Sequence, residues 1–247
     1  MKYLFVTICI VLFAATGVHG QYILRGRIEY ERKIHVHARM KDFGDDNQSW
    51  YERVKSQVPK FNSTYFDLVF DQSRSLYKPG REGDPSPRFG GSDPANDNIV
   101  YTDLTTRRVK ALKQVYEQKF LVQDSMRTMD WRLKNEYRTI AGYKCRKAVG
   151  IICDSVYVVA FYADEIPPGS GPEMFGSLPG MILELAIPRL HTTWVATRVD
   201  LVAVKDADFE MAGKGKKVSS GELYETIQQS LKDWGKWATR NIWLTSL

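Results

Sequence analysis

The sequence predicts a mainly β (α+β) chain: one curved antiparallel sheet, or half-barrel, covered by one or two helices. Three observations predict it. Long stretches alternate apolar and polar residues, as strands with one wetted face do. Their connections are short, which makes sequence neighbours antiparallel neighbours in the sheet. Only two windows carry helical spacing, and a curved sheet needs a cover.

The first element is a leader. "MKYLFVTICIVLFAATGVHG", residues 1–20, has a basic start at Lys2, an apolar stretch from Tyr3 to Ala15, and small residues at its end. That stretch is too short to span a membrane, and its pattern is that of a cleaved secretory signal. Cleavage after Gly20 leaves 21–247 as a single β-rich domain. Cys9 lies in the apolar region, far from the cut, so a lipid-anchored amino terminus is not expected. Of the 35 Lys and Arg only Lys2 is in the leader, against 29 Asp and Glu, so the remainder keeps a modest positive balance. Lys214, Lys216 and Lys217 form the one basic cluster, between glycines and serines. No basic stripe with interleaved aromatics exists, which excludes nucleic acid as a partner.

Strands are predicted from Tyr22 to Met40, where Ile28, Tyr30, Ile34 and Val36 recur in twos, and at Ser63–Phe70, Asn98–Leu104, Lys119–Ser125 and Trp131–Ile140. More follow at Lys144–Ile152, Val156–Ala163, Met181–Ile187 and Thr192–Val204. Helices are predicted at Gln48–Val58, ending before Pro59, and at 222–240. In the second, Leu223, Ile227, Leu231, Trp234 and Trp237 share a face behind a Ser220–Gly221 start. The Lys78–Asn98 segment is rich in Gly and Pro and reads as a mobile loop.

Cys145 and Cys153 remain after the leader, in a compartment that permits pairing. A turn at Ala148–Val149–Gly150 would set them across a hairpin, where they could bridge. One strand from Lys144 to Ile152 would hold them about 26 Å apart, beyond disulfide reach. Asp154–Ser155 is the stronger turn signal, and the reading taken is two free thiols.

In Leu178-Pro179-Gly180-Met181, Pro at the second position and Gly at the third specify a type II turn, with Gly at positive φ. In the strand that follows, Met181, Leu183 and Leu185 should face one way, with Ile182, Glu184 and Ala186 facing the other. The wider pattern is more specific than a turn. "IAGYKCRKA" (Ile140–Ala148), "AFYADEIPPGSGP" (Ala160–Pro172) and "GSLPGMILEL" (Gly176–Leu185) together resemble the GLPGLI, or Porph_ging, family. The naming motif falls on Ser177–Ile182. "YTDL", "KFLVQDS" and Trp131 fit its run of strands, so the resemblance spans Tyr101 to Leu185. The chain departs at Ser177, where the family has Gly, and at Met181, where it has Leu. The resemblance implies export by a Gram-negative bacterium, to the periplasm or outer membrane. It also implies an unsettled biochemical role, often alongside outer-membrane TonB-dependent receptors, and brings no catalytic residues. A curved sheet around a helix is also similar to bacterial lipoprotein carriers, a likeness of fold alone.

The candidate sites are few. His35 and His37, at i and i+2, would share a strand face and could both reach one divalent transition metal, although a site needs a third ligand. Glu29, Glu31 or His191 could supply it. Asp130, Asp164, Glu165 and Glu184 could form an acid–base pair only if they met in a cleft. Cys145 has Lys144, Arg146 and Lys147 beside it, but adjacent strand residues point to opposite faces. Trp234, Trp237 and Trp243, with Lys232, Lys236 and Arg240, suit either a cover for the sheet or peripheral membrane contact. Met126, Met129, Met174 and Met181 suit an adaptable apolar cavity or the core. The reading taken is an exported binding or accessory protein whose partner is an apolar ligand or an outer-membrane receptor. The alternative is a metal-dependent or thiol enzyme using His35/His37 or Cys145.

Overall fold

The structure, a computed structural model, describes residues 22–42, 48–83 and 93–247. The leader and the middle of the Lys78–Asn98 segment lie outside the described residues. Twelve strands form one sheet. They are β1 (Gly26–His35), β2 (Phe61–Phe70), β3 (Arg74–Pro79), β4 (Ile99–Asp103), β5 (Arg108–Val115) and β6 (Gln118–Ser125), then β7 (Arg132–Ile140), β8 (Tyr143–Ile152), β9 (Val156–Ala163), β10 (Met181–Ile187), β11 (Thr192–Asp200) and β12 (Lys216–Val218). Their order is β12-β6-β5-β4-β3-β2-β1-β11-β10-β9-β8-β7. Every pairing is antiparallel except the short β12, which lies parallel to β6. β1 and β11 join the two runs of meander at the centre of the sheet.

The alternation that predicts strands also builds the core. In β1, residues 26, 28, 30, 32 and 34 are buried and those between them half-buried. One large core gathers Ile28, Tyr30, Phe66, Phe70, Tyr162, Leu183 and Trp194. Phe66 stacks on Tyr77 with centroids 4.9 Å apart. Burying a side chain such as Phe66 or Phe70 contributes roughly 2–3 kcal/mol. On the opposite face Val69, Leu76 and Phe209 make a small satellite.

The first predicted strand stops early, at His35. Its Nδ1 accepts the Ala38 N–H at 3.0 Å and so caps α1 (Val36–Lys41). A ring nitrogen placed there satisfies an orphan donor of the first turn. The second helix, α2, covers Gln48–Val54. The predicted helix 222–240 is two helices, α3 (Ser220–Ser230) and α4 (Lys236–Thr245). α3 opens with a capping box, Ser219 with Glu222. α3 stops at Ser230, and Gly235, at φ +54°, a conformation that favours glycine, immediately precedes α4. Leu223, Ile227 and Leu231 enter the core as predicted, Leu244 and Leu247 join them without having been predicted, and Trp234 and Trp237 are half exposed. Trp234 falls in the break between α3 and α4 and Trp237 in the first turn of α4, so neither continues the buried face of α3.

Three strands, β3, β5 and β12, are additions to the prediction. Residues 93–98 of the predicted mobile loop are anchored. Asp93 pairs with Arg39, the Arg32 guanidinium donates to Asn96 O at 2.7 Å, and Ala95 N donates to Gln114 O at 2.7 Å.

Candidate functional site

Two features of the fold converge on one place. The first is the connection 164–180, between β9 and β10. Antiparallel neighbours usually join through a short surface turn. Here the chain turns inward, and Ile166, Ser170, Glu173, Phe175 and Leu178 are buried. A buried connection must satisfy its own polar groups. Ser177 N donates to Gly169 O at 3.0 Å, Met181 N to Ile166 O at 2.8 Å and Ile182 N to Ser170 O at 2.9 Å. From the sheet, Ser75 and Ser170 share a hydroxyl hydrogen bond at 2.7 Å, and Trp131 Nε1 donates to Gly176 O at 2.9 Å. Asn98 Nδ2 donates to Glu173 Oε2 at 2.7 Å, and burial pushes the Glu173 carboxyl above its usual range.

Glycines let the connection pack this tightly. A Cβ on Gly169 would stand 2.4 Å from Leu178 O, and one on Gly180 would stand 2.1 Å from Ala163 O. Gly180 is therefore needed for close approach and not for positive φ, which corrects the type II turn expected at Pro179–Gly180. The left-handed residue of the motif is Ser177, at φ +65°. Pro179 is exposed and Leu178 buried. The strand alternation expected beyond them also fails. A bulge between Ile182 and Glu184 buries Met181, Ile182 and Leu183 alike. Tyr30 OH donates to Ile182 O at 2.6 Å, satisfying the carbonyl at the bulge. Glu184 turns to Arg138, whose Nη1 donates to both carboxylate oxygens, at 2.8 and 2.9 Å.

The second feature is a cleft of about 470 Å³ beside this plug. Its walls include Lys113 and Val122 from β5 and β6, Ile151–Asp154 from the end of β8, and Gly221, Leu223 and Tyr224 from α3. β6 and β8 are each second from an edge of the sheet. In a flat sheet they would be about 43 Å apart at ~4.8 Å per strand. Lining one cleft, they show that the sheet curls until its two ends approach. Val122, Met129, Ile152, Met174 and Leu223 give the cleft an apolar wall, and Lys113 and Arg127 give it a cationic one. Lys113 is buried, its Nζ donates to Thr245 O at 2.9 Å, and burial pushes its ammonium down to about 7. Burial also holds Arg127 below its usual range.

The candidate residues from the sequence meet this site unevenly. Met129 and Met174 line it, and Met181 lies in the core. β8 is unbroken from Tyr143 to Ile152, the chain turns at Cys153–Ser155, and both cysteines are free. Cys153 stands at the cleft. Cys145 is buried away from it, and burial pushes its thiol up to about 12, which removes the thiolate that a nucleophile needs. His35 and His37 do not share a strand face, because the strand ends between them. His35 caps α1, and His37 Nε2 lies 2.9 Å from Val58 O, so the geometry that would aim both rings at one ion is absent. Among the described residues no group of three or more His, Cys, Asp or Glu could hold a metal. Asp130, Asp164 and Glu165 are exposed. Trp243 packs against the core, while the ring of Trp234 lies 5.6 Å from that of Tyr116. No helix among the described residues is long and apolar enough to cross a membrane.

Sequence reasoning missed Lys113, Arg32, Arg127 and Glu173. For two of them the signal was present. Lys113 stands in the inward register of β5 between Ala111 and Val115, and Arg32 in that of β1 between Tyr30 and Ile34. A cation among alternating apolar residues points into the core. Arg127 and Glu173 lie in connections, where no period marks direction.

The comparisons agree with this description. The family model described as "Protein of unknown function (Porph_ging)" matches residues 151–184, from the end of β8 through the plug to Glu184. That match falls within the segment that carries the resemblance. No curated protein matches the chain. Two solved structures, described as "Structure of PNGF-II in C2 space group" and "Structure of PNGF-II in P21 space group", are similar in fold. Each has a TM-score of 0.53 and 14% identity over 84% of this chain, covering 33% and 34% of the respective solved chains. This chain thus spans about a third of their length.

Proposed function

We propose that this is an exported binding or accessory protein of the cell envelope, holding the apolar part of a small ligand in the cleft between the ends of its sheet. In this reading α3 and α4 cover the open side of the curled sheet. The observation that carries it is the cleft itself. About 470 Å³ is within the ~300–1,000 Å³ usual for small-molecule sites, and apolar walls with a few placed polar groups are their usual lining. Lys113 and Arg127 stand there beside Val122, Met129, Ile152, Met174 and Leu223, a lining suited to holding a ligand.

The leader at 1–20 and the family resemblance support a periplasmic or outer-membrane setting in a Gram-negative bacterium, working with a TonB-dependent receptor. The exposed Trp234 and Trp237 suit peripheral contact with that receptor or with the membrane.

The test is a fluorescence titration with phenylnaphthylamine, a neutral apolar probe, against wild type and Gly221→Trp. Gly221 lines the cleft, and a Cβ there meets nothing within 4 Å, so a large side chain can be added at the cleft wall without a clash at its root. Saturable binding by wild type, weakened about tenfold or more in the variant at unchanged Tm, is the expected result; tenfold corresponds to about 1.4 kcal/mol. An absence of saturable binding would overturn the reading.

A further inference from the structure

Lys113 and Arg127 share a structural duty. Lys113 Nζ donates to Thr245 O, and Arg127 Nη2 donates to the Ser246 carbonyl, both at the end of α4. Helix ends attract cations because their last carbonyls lack partners. That duty occupies one nitrogen of Arg127 and leaves another over. Arg127 Nη1 is enclosed and has no hydrogen-bond partner among the described residues. The Phe175 ring lies 5.6 Å from the guanidinium carbon, and the Cys153 side chain is also near enough to interact with the cation.

The charges around the pair do not balance. Neither Lys113 nor Arg127 forms an ion pair among the described residues. Lys113 feels attraction from Glu173 and repulsion from Arg127. Glu173 is itself bound by Asn98 and shared with Arg32. Asp154, the one carboxylate of the cleft wall, is exposed and pairs with neither cation. Two cations brought together at one wall, with an idle donor between apolar surfaces, are costly in an empty site and favourable beside an anion. An anion there would also hold the Lys113 ammonium charged.

Resting on the cleft as a binding site, we propose that its ligand is a single-chain amphiphile with one anionic head group, a carboxylate or a phosphate, received by Arg127 and Lys113 while the chain lies along Val122, Met129, Met174 and Leu223. The apolar wall and the cationic wall then have one ligand between them, and the idle Nη1 gains an acceptor.

Displacement of phenylnaphthylamine by palmitate, hexadecyl phosphate and hexadecanol tests it. Wild type should prefer the two anions to the alcohol by about tenfold or more, as expected for a charge-assisted hydrogen bond. The stronger of the two anions identifies the head group. Arg127→Met should abolish that preference, so that the two anions compete no better than hexadecanol. Should that variant fail to fold, Lys113→Met is read in the same way. If hexadecanol competes as well as palmitate in wild type, or if the preference survives in a folded Arg127→Met, the head-group assignment is overturned while the cleft remains a binding site. If the probe itself never binds, both readings fall.

Discussion

At the scale of residues, positions are governed by closeness and burial more than by turn chemistry. Gly180→Ala should destabilise by about 1–3 kcal/mol, because its Cβ would meet Ala163 O at 2.1 Å and the sheet must give way. Pro179→Ala, at an exposed position of the same motif, should shift Tm far less. Equal melts for the two variants would contradict the close-approach account. Lys113 yields a pH prediction. Its folded value of about 7 lies below the ~10.4 of an unfolded lysine, so between those values the unfolded chain binds more protons and stability rises with pH. Below 7 both states are charged and the burial cost acts in full. The Tm of Lys113→Met minus that of wild type should therefore fall as pH rises from 7 to 10. A difference independent of pH would show that the ammonium is not desolvated. The sequence contains the clue to this residue, since Lys113 breaks an apolar alternation. Nothing comparable marks Arg127 or Glu173, whose directions are set by a non-repeating backbone.

Among the elements, those whose period and length agree were legible in the sequence. β8, β9 and β10 are predicted almost to the residue because their runs of apolar and β-branched residues are bounded by Asp154–Ser155, Asp164–Glu165, Pro179–Gly180 and Pro188. β5 was hidden by its charge, since Arg108 and Lys110 lower its hydropathy and Lys113 interrupts its apolar register. β12 is too short for a period and exists through its pairing with β6. β1 was read too long because Val36 continues the spacing in twos, whereas in the fold His35 caps α1 and Val36 begins it. The carboxyl-terminal helix was read as one because its apolar spacing continues past Ser230, where the helical backbone stops. The start of α3 depends on its capping box, so Ser219→Ala should cost about 1 kcal/mol. Amide exchange of the first turn of α3 should quicken accordingly, and unchanged protection there would contradict the assignment.

For the molecule as a whole, curling brings the two ends of a twelve-stranded sheet to one cleft, and the plug 164–180 fills the neighbouring interior. That long-range closure was beyond sequence patterning, which reports faces and periods but not which distant strands meet. The resemblance and the family match coincide over residues 151–184, which include the plug. If the leader reading is right, protein recovered from its own envelope should begin at Gln21, and an intact mass that includes residues 1–20 would contradict cleavage there.

The measurement that tests the central claim most directly is a native mass spectrum of the full protein, purified gently from its own cell envelope. The cleft account predicts excess mass, in the range of a single-chain amphiphile, that disappears on denaturation. A bare polypeptide mass under those conditions would contradict it.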